Sequence, residues 1–254
     1  MSVLDQFSLK GKNALVTGSS QGLGAGMAIA LAQAGANVAL HGRNAVSMST
    51  IDEVKKTGAQ SISVTGDVSN PAVCTRIVDE TVKAFDSIDI LVNNAGTIRR
   101  APAAEHSHEF WSTVIDSNLN SVFYLSQYAG TKMLAKGSGK IINIASMLTF
   151  QGGILVPSYA AAKGAVGQLT KALANEWAAK GVNVNAIAPG YMETANTAPL
   201  RADPERSKAI LGRIPAGRWG SPSDLAGAVV FLASAASNYV HGHILVVDGG
   251  WLCR

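Results

Sequence analysis

Seven short apolar runs rich in valine and isoleucine punctuate the chain: NALVT (13–17), NVALH (37–41), SISVT (61–65), IDILV (88–92), KIINIA (140–145), VNVNAI (182–187) and HILVV (243–247). Between them lie Ala- and Leu-rich stretches at helical period, such as GLGAGMAIALAQAG and QLTKALANEWAAKG. Near-continuous apolar strands are those covered on both faces, and strands alternating with helices build βαβ units. The pattern therefore predicts a single α/β domain over 1–254, with a doubly wound parallel sheet of about seven strands and helices on both faces. Residues 190–222, GYMETANTAPLRADPERSKAILGRIPAGRWGSP, break the rhythm. This stretch is longer than an ordinary connection and carries its own short helical pattern, as a substrate lid does.

Composition narrows the function. Charged residues make up 15% of the chain, against roughly 25% in a typical soluble domain. The 47% apolar content suits a doubly covered sheet and further surface buried between subunits. Lysines and arginines are scattered and the formal charge is +4, which gives a nucleic-acid role no support. Two distant cysteines, Cys74 and Cys253, make neither a disulfide framework nor a zinc spacing, as expected in a reducing cytoplasm. The start, MSVLDQFSLKGKN, lacks an apolar signal core, and no run reaches the roughly 18 apolar residues of a membrane span. His106 and His108, like His241 and His243, form H-x-H pairs, but neither has an evident third ligand, so no metal is expected.

The first predicted strand runs into TGSSQGLG (17–24) and then directly into a helix. Gly18, Gly22 and Gly24 let a diphosphate approach the backbone and meet the N–H groups and positive dipole end of that helix. No Gly-Lys-Ser/Thr follows, so this is not a nucleoside-triphosphate loop. In a dinucleotide site of this Rossmann type, an acid at the end of the second strand binds the ribose 2′-hydroxyl of NAD. Here that strand ends LHGRN, with Gly42 where the acid would sit and Arg43 after it. A 2′-phosphate then meets no carboxylate and can pair with Arg43, so NADP is expected ahead of NAD. The alternative is a solvated arginine opening the next helix.

A tyrosine and a lysine stand one helical turn apart in PSYAAAKGA (157–165), Tyr159 and Lys163, with only alanines between them. Four more pieces fall into register with them: NNAG (93–96), Asn118 in SNLNSVF, Ser146 in IASM thirteen residues before Tyr159, and APG (188–190). This ordered set, spanning essentially the whole chain, resembles the short-chain dehydrogenase/reductase superfamily. The resemblance implies hydride transfer between a nicotinamide and a carbonyl or alcohol carbon. It implies that Asn118, Ser146, Tyr159 and Lys163 are the catalytic set: Lys163 and the oxidised nicotinamide lower the Tyr159 pKa from about 10, Ser146 steadies the reacting oxygen, and Asn118 holds a water that links Lys163 to solvent. It further assigns Gly18, Ser20, Gln21, Gly22, Leu23 and Gly24 to the diphosphate, Asp67 and Val68 to the adenine, and Asn94, Ala95 and Gly96 to the adenosine side. Pro189, Gly190, Met192 and Thr194 would flank the nicotinamide, with Tyr159 and Lys163 also touching the cofactor.

Within that superfamily, ASMLTFQGGILVPSY, NAIAPGYMETANTAPLRAD, RIPAGRWG and VDGGWLCR look like the bacterial 2-dehydro-3-deoxy-D-gluconate 5-dehydrogenases, with gluconate 5-dehydrogenases as near neighbours. Leu155 stands where such relatives often carry arginine, and LHGRN differs from the members that look built for NAD. The expected reaction is NADP(H)-dependent interconversion of a keto sugar acid: 4-deoxy-5-keto uronate or 2,5-diketo-3-deoxygluconate to 2-keto-3-deoxygluconate. A carboxylate in a cleft needs cationic partners. Arg99 and Arg100, just beyond the fourth strand, Arg201 in the lid, and Arg254 at the end of the sequence are the candidates. A 3-oxoacyl-carrier-protein reductase is the competing enzyme reading, and a catalytically silent nucleotide sensor the competing class. The superfamily also implies a homo-oligomer, a tetramer in its common form, in which the apolar GHILVVDGGWLCR packs between subunits.

Overall fold

Every strand of the sheet alternates its side chains between two apolar layers, and that alternation organises the molecule. In the computed structural model, which describes residues 2–254, the elements run β1 (Asn13–Val16), α1 (Gly22–Gln33), β2 (Asn37–Gly42), α2 (Met48–Lys56), β3 (Ser61–Thr65), α3 (Pro71–Phe85) and β4 (Ile90–Asn93). There follow α4 (His108–Ile115), α5 (Ser121–Lys136), β5 (Gly139–Ile144), α6 (Pro157–Trp177) and β6 (Val182–Pro189). The chain ends with α7 (Ala198–Ala202), α8 (Pro204–Leu211), α9 (Ala226–Ala233) and β7 (Ile244–Val247). The strands pair in parallel in the order β3-β2-β1-β4-β5-β6-β7.

Val16, Val38, Leu40, Ile90, Val92 and Ile142 pack on one face against Met27 and Leu31 of α1 and Val229 of α9. Leu15, Ala39, Leu91 and Ile141 face the other way, against Ile77 of α3, Leu125 of α5 and Trp177 of α6. Both faces are therefore dry, which is why the strands read as near-continuous apolar runs. The strand order reverses between β1 and β4, and the crevice beyond their carboxyl ends is where ligands of such sheets bind.

Most strand boundaries shift by one or two residues from the sequence pattern. β4 starts at Ile90 rather than 88, because Asp89 is engaged with Asn13: its N–H donates to the Asn13 carbonyl (2.8 Å) and its carboxylate accepts the Asn13 N–H (2.9 Å). Residues 108–136 form two helices, joined by a π-helical turn over Asp116–Asn120 that holds Asn118.

Candidate active site

Thr17 and Gly18, at the end of β1, are fixed from three sides. The Thr17 hydroxyl accepts the N–H groups of Asn94 (3.0 Å) and Ala95 (3.1 Å), while Asn94 Nδ2 donates to the carbonyls of Thr17 (2.9 Å) and Gly18 (3.1 Å). The third side is His41, buried at 2% exposure. Its Nδ1 accepts the Gly18 N–H at 3.0 Å, and its Nε2 lies 3.0 Å from the Gly66 carbonyl, to which it donates. Those bonds specify the neutral tautomer with the proton on Nε2, and burial accordingly pushes the His41 pKa down from its ordinary value. His41 quietly ties the glycine loop to the turn after β3.

The loop opens on a cavity of about 540 Å³. Gly18, Gln21, Gly22, Leu23, Gly24, Asn94, Ala95, Gly96, Asn118, Tyr159, Lys163 and Thr194 all line it. The first turn of α1 thus presents its free N–H groups to this space, as an anion site requires. A Cβ on Gly24 would stand 2.3 Å from the Gly18 carbonyl oxygen and 2.4 Å from Asn94 Nδ2, so only hydrogen fits there. This cradle and dipole end fit a dinucleotide diphosphate.

Other expected cofactor residues lie elsewhere. Ser20 turns toward the next loop, its hydroxyl accepting the Ser47 N–H at 3.0 Å. Arg43 and Asp67 pair with each other at 3.4 Å, both largely exposed, outside the cavity lining and above the buried Val68. Pro189 ends β6, and Gly190 lines a second cavity. Met192 does not reach the first cavity: its side chain is 4% exposed and packs in the core against Gly220.

Ser146 caps the short turn after β5, its hydroxyl accepting the Leu148 N–H at 3.1 Å. Pro157 opens α6, and two residues later Tyr159 faces Ser146. Burial pushes the Tyr159 phenol up, while the Ser146 hydroxyl and the Arg100 charge pull it down. Lys163 is 4% exposed; its ammonium donates to the Ile144 carbonyl and lies 5.7 Å from the centre of the Tyr159 ring. Burial lowers its pKa to about 8. The Tyr159 pKa is thus governed first by burial rather than by Lys163. Asn118 is fixed to the loop after β4: its Oδ1 accepts the Thr97 N–H (2.8 Å) and its Nδ2 donates to the Thr97 carbonyl (2.9 Å).

The second cavity, about 450 Å³, adjoins the first: Tyr159 and Asn196 line both. Of the four candidate substrate arginines, Arg100 alone lines this second space. Arg201 lines the first cavity instead. Arg99 folds back onto Thr97 Oγ1 (3.0 Å) and over the Phe110 ring, and Arg254 is held at the carbonyls of Gly212 (2.9 Å) and Arg213 (3.3 Å). The sequence reading missed Arg206 and Arg213, which do line the second cavity. The overlooked signal is their place at the end of the lid's own helical pattern: Arg206 lies on α8 and Arg213 on the turn directly after it.

Comparison with known proteins adds the following. A family model described as enoyl-(acyl carrier protein) reductase matches residues 18–252. The chain is 57% identical to the 2-dehydro-3-deoxy-D-gluconate 5-dehydrogenase of Pseudoalteromonas atlantica, over 99% of this chain and 100% of that protein. The corresponding Escherichia coli enzyme is 55% identical, also over 99% and 100%. A solved Agrobacterium tumefaciens structure with bound NADP, provisionally assigned as a 2-deoxy-D-gluconate 3-dehydrogenase, is 56% identical with a TM-score of 0.93, covering 98% of this chain and 100% of that one. A gluconate 5-dehydrogenase from Burkholderia cenocepacia, in complex with NADP and tartrate, is 39% identical with a TM-score of 0.93, both chains being covered in full.

Proposed function

The chain belongs to the short-chain dehydrogenase/reductase superfamily, and from that premise we propose that it interconverts 2-keto-3-deoxygluconate and its 5-keto form, with 4-deoxy-5-keto uronate as the related substrate. It is an NAD(P)-dependent oxidoreductase of keto sugar acids, with NADP(H) as cofactor. One observation carries the reading beyond family membership. The Tyr159 phenol stands where the glycine-lined cavity meets a second cavity whose charged side chains are all arginines.

NADPH, when bound, supplies the hydride that adds to the carbonyl carbon. Gly18, Gly22 and Gly24 and the first turn of α1 would hold its diphosphate, and Arg43 would be the cation available to its 2′-phosphate. Tyr159 delivers the proton to the carbonyl oxygen, which Ser146 steadies as charge builds on it. The Lys163 ammonium, one turn along α6, favours the phenolate left behind. Asn118 keeps Thr97 and the wall of the cleft in place. In the oxidation direction the same groups act in reverse, with Tyr159 accepting the hydroxyl proton.

Residues 190–222 act as the lid, because Thr194 and Arg201 border the first cavity while Asn196, Leu200 and Arg206 border the second. We assign the protein to the cytoplasm as a homotetramer. The support is an outer strand, β7, on which Val246 is exposed, and the exposed Trp111 and Phe123 on α4 and α5. A monomeric mass by light scattering refutes the oligomer. The activity is tested by following NADPH at its absorbance maximum with 2-keto-3-deoxygluconate, gluconate and an acetoacetyl thioester. Turnover confined to the thioester overturns the sugar-acid assignment in favour of an acyl-chain reductase.

A further inference from the structure

Three guanidinium groups reach the second cavity: Arg100, Arg206 and Arg213. None of its described lining residues is acidic, and none of the three arginines takes part in an ion pair among the described residues. Their positions differ in kind. Arg100 donates to the Asn196 carbonyl at 3.2 Å and lies close enough to bias the charge of Tyr159. Arg206 and Arg213 come from the opposite wall, on α8 and the turn that follows it.

Arg213 is prepared for its task. Its guanidinium carbon lies 4.0 Å above the centre of the Trp251 ring. Trp251 is itself 5% exposed, its indole N–H donates to Gln151 Oε1 at 3.3 Å, and Tyr191 packs edge-on against it at 4.7 Å. One Arg213 N–H group reaches the Arg254 backbone oxygen at 3.5 Å, and a guanidinium already seated on an indole loses little rotamer freedom when its remaining N–H groups bind a ligand. The Arg213 backbone N–H donates to the Ile210 carbonyl at 3.0 Å, which fixes the turn carrying Arg213 onto the end of α8. Two cations without counterions, one of them pre-oriented, make a receptor for a planar anion.

We propose that Arg213 and Arg206 bind the substrate's carboxylate and thereby select which carbonyl meets Tyr159. This rests on the sugar-acid reading above. A diketo sugar acid offers one ketone beside its carboxylate and another at the far end of the chain. Holding the carboxylate on the α8 wall, away from Tyr159, presents the distal ketone to Ser146 and Tyr159. The ketone next to the carboxylate stays out of reach. Regioselectivity then follows from two arginines that touch neither cofactor nor reacting atoms.

The test compares parent, Arg213→Gln, Arg213→Lys and the Arg206→Gln/Arg213→Gln double variant. Each is assayed for NADP-dependent oxidation of 2-keto-3-deoxygluconate and of its uncharged methyl ester, with NADPH affinity measured by fluorescence. Arg213→Gln is expected to raise KM for the acid about ten- to a hundredfold with kcat nearly unchanged. KM for the ester and NADPH affinity stay at parental values. Arg213→Lys, which keeps the charge but not the flat fork, falls between them, and the double variant equalises acid and ester. If the parent oxidises the acid and the double variant keeps the parental KM, the receptor assignment is wrong while the proposed activity stands. If the parent oxidises no sugar acid, the activity fails and the receptor with it.

Discussion

Replacing His41 probes a part of the site that no motif marks. His41→Leu keeps approximate volume but removes both ring nitrogens. The Gly18 N–H, partly buried at the mouth of the phosphate loop, loses its acceptor, and the Gly66 carbonyl loses its donor; both bonds are 3.0 Å long. A buried partner left unsatisfied costs about 1–3 kcal/mol. Both glycines are only partly buried, so water replaces part of each bond. A net loss of about 3 kcal/mol is therefore expected. At roughly 2–4 °C per kcal/mol for a chain of this size, the melting temperature drops by about 6–12 °C.

The position of the loss makes it more than a stability effect. Gly18 lines the cavity proposed for the diphosphate, so NADPH affinity is expected to fall as well. His41→Asn places an amide oxygen near Nδ1 and restores the acceptor for Gly18; His41→Gln reaches the Nε2 position and restores only the Gly66 bond. Asn is therefore expected to keep more NADPH affinity than Gln, by fluorescence titration. The pH dependence has a definite sign. Burial holds the His41 pKa below the ordinary 6.5, against which the facing Asp67 and Arg76 are lesser influences. Below pH 6.5 the unfolded chain binds the proton more readily than the folded one, so stability falls as pH drops from there toward the lowered pKa. His41→Leu abolishes that decline. A leucine variant with parental melting temperature and NADPH affinity refutes the argument.

Three further outcomes are expected. Tyr159→Phe retains NADPH binding and loses at least about a hundredfold in turnover; near-parental rates in stopped-flow assays overturn its role as acid. Because Lys163 releases its proton at about 8, carbonyl reduction falls as pH rises through that value, whereas Lys163→Arg, which stays charged, lacks this limb even if slower overall. Arg43→Ala costs about 1.5–3 kcal/mol with NADPH, roughly ten- to a hundredfold in kcat/KM. It costs little with NADH, since the exposed Arg43–Asp67 pair at 3.4 Å contributes at most about 1 kcal/mol.

What the sequence made legible follows from what each feature depends on. The seven strands were readable because the central ones are buried on both faces and all are short valine- and isoleucine-rich runs, even where serine or asparagine alternates in SISVT and VNVNAI. The glycine loop was readable because its requirement is local: Gly24 has room for hydrogen alone, whatever packs beyond it. The π-helical turn over Asp116–Asn120 was not, since HEFWSTVIDSNLNSVFYLSQ carries an unbroken helical pattern and the turn is set by Asn118 bonding to Thr97 across space. The superfamily resemblance placed Met192 beside the nicotinamide, together with Pro189, Gly190 and Thr194. Its side chain instead fills the space left by the hydrogen of Gly220, which lies far along the lid.

The arginines show where such inference ends and why. Arg99 and Arg100 are adjacent, equally charged and equally placed beyond β4, yet one folds onto Thr97 and Phe110 while the other enters the cavity. Successive side chains in an extended segment point to opposite sides, so proximity to a strand end selects a neighbourhood and not a direction. Arg213 makes the same point from the other side. Nothing in RIPAGRWG marks it above Arg218, but Arg218 is neutralised by Asp224 at 2.7 Å, whereas Arg213 lies over the face of Trp251 and reaches the Arg254 backbone oxygen at 3.5 Å, with no acidic side chain paired to it. The surface that supports a cation decides whether its charge is spent inside the protein or left for a ligand. For Arg213 that surface comes from the other end of the lid and beyond, folded back by β7, so the substrate's carboxylate is read by a residue whose role exists only once the chain has closed on itself.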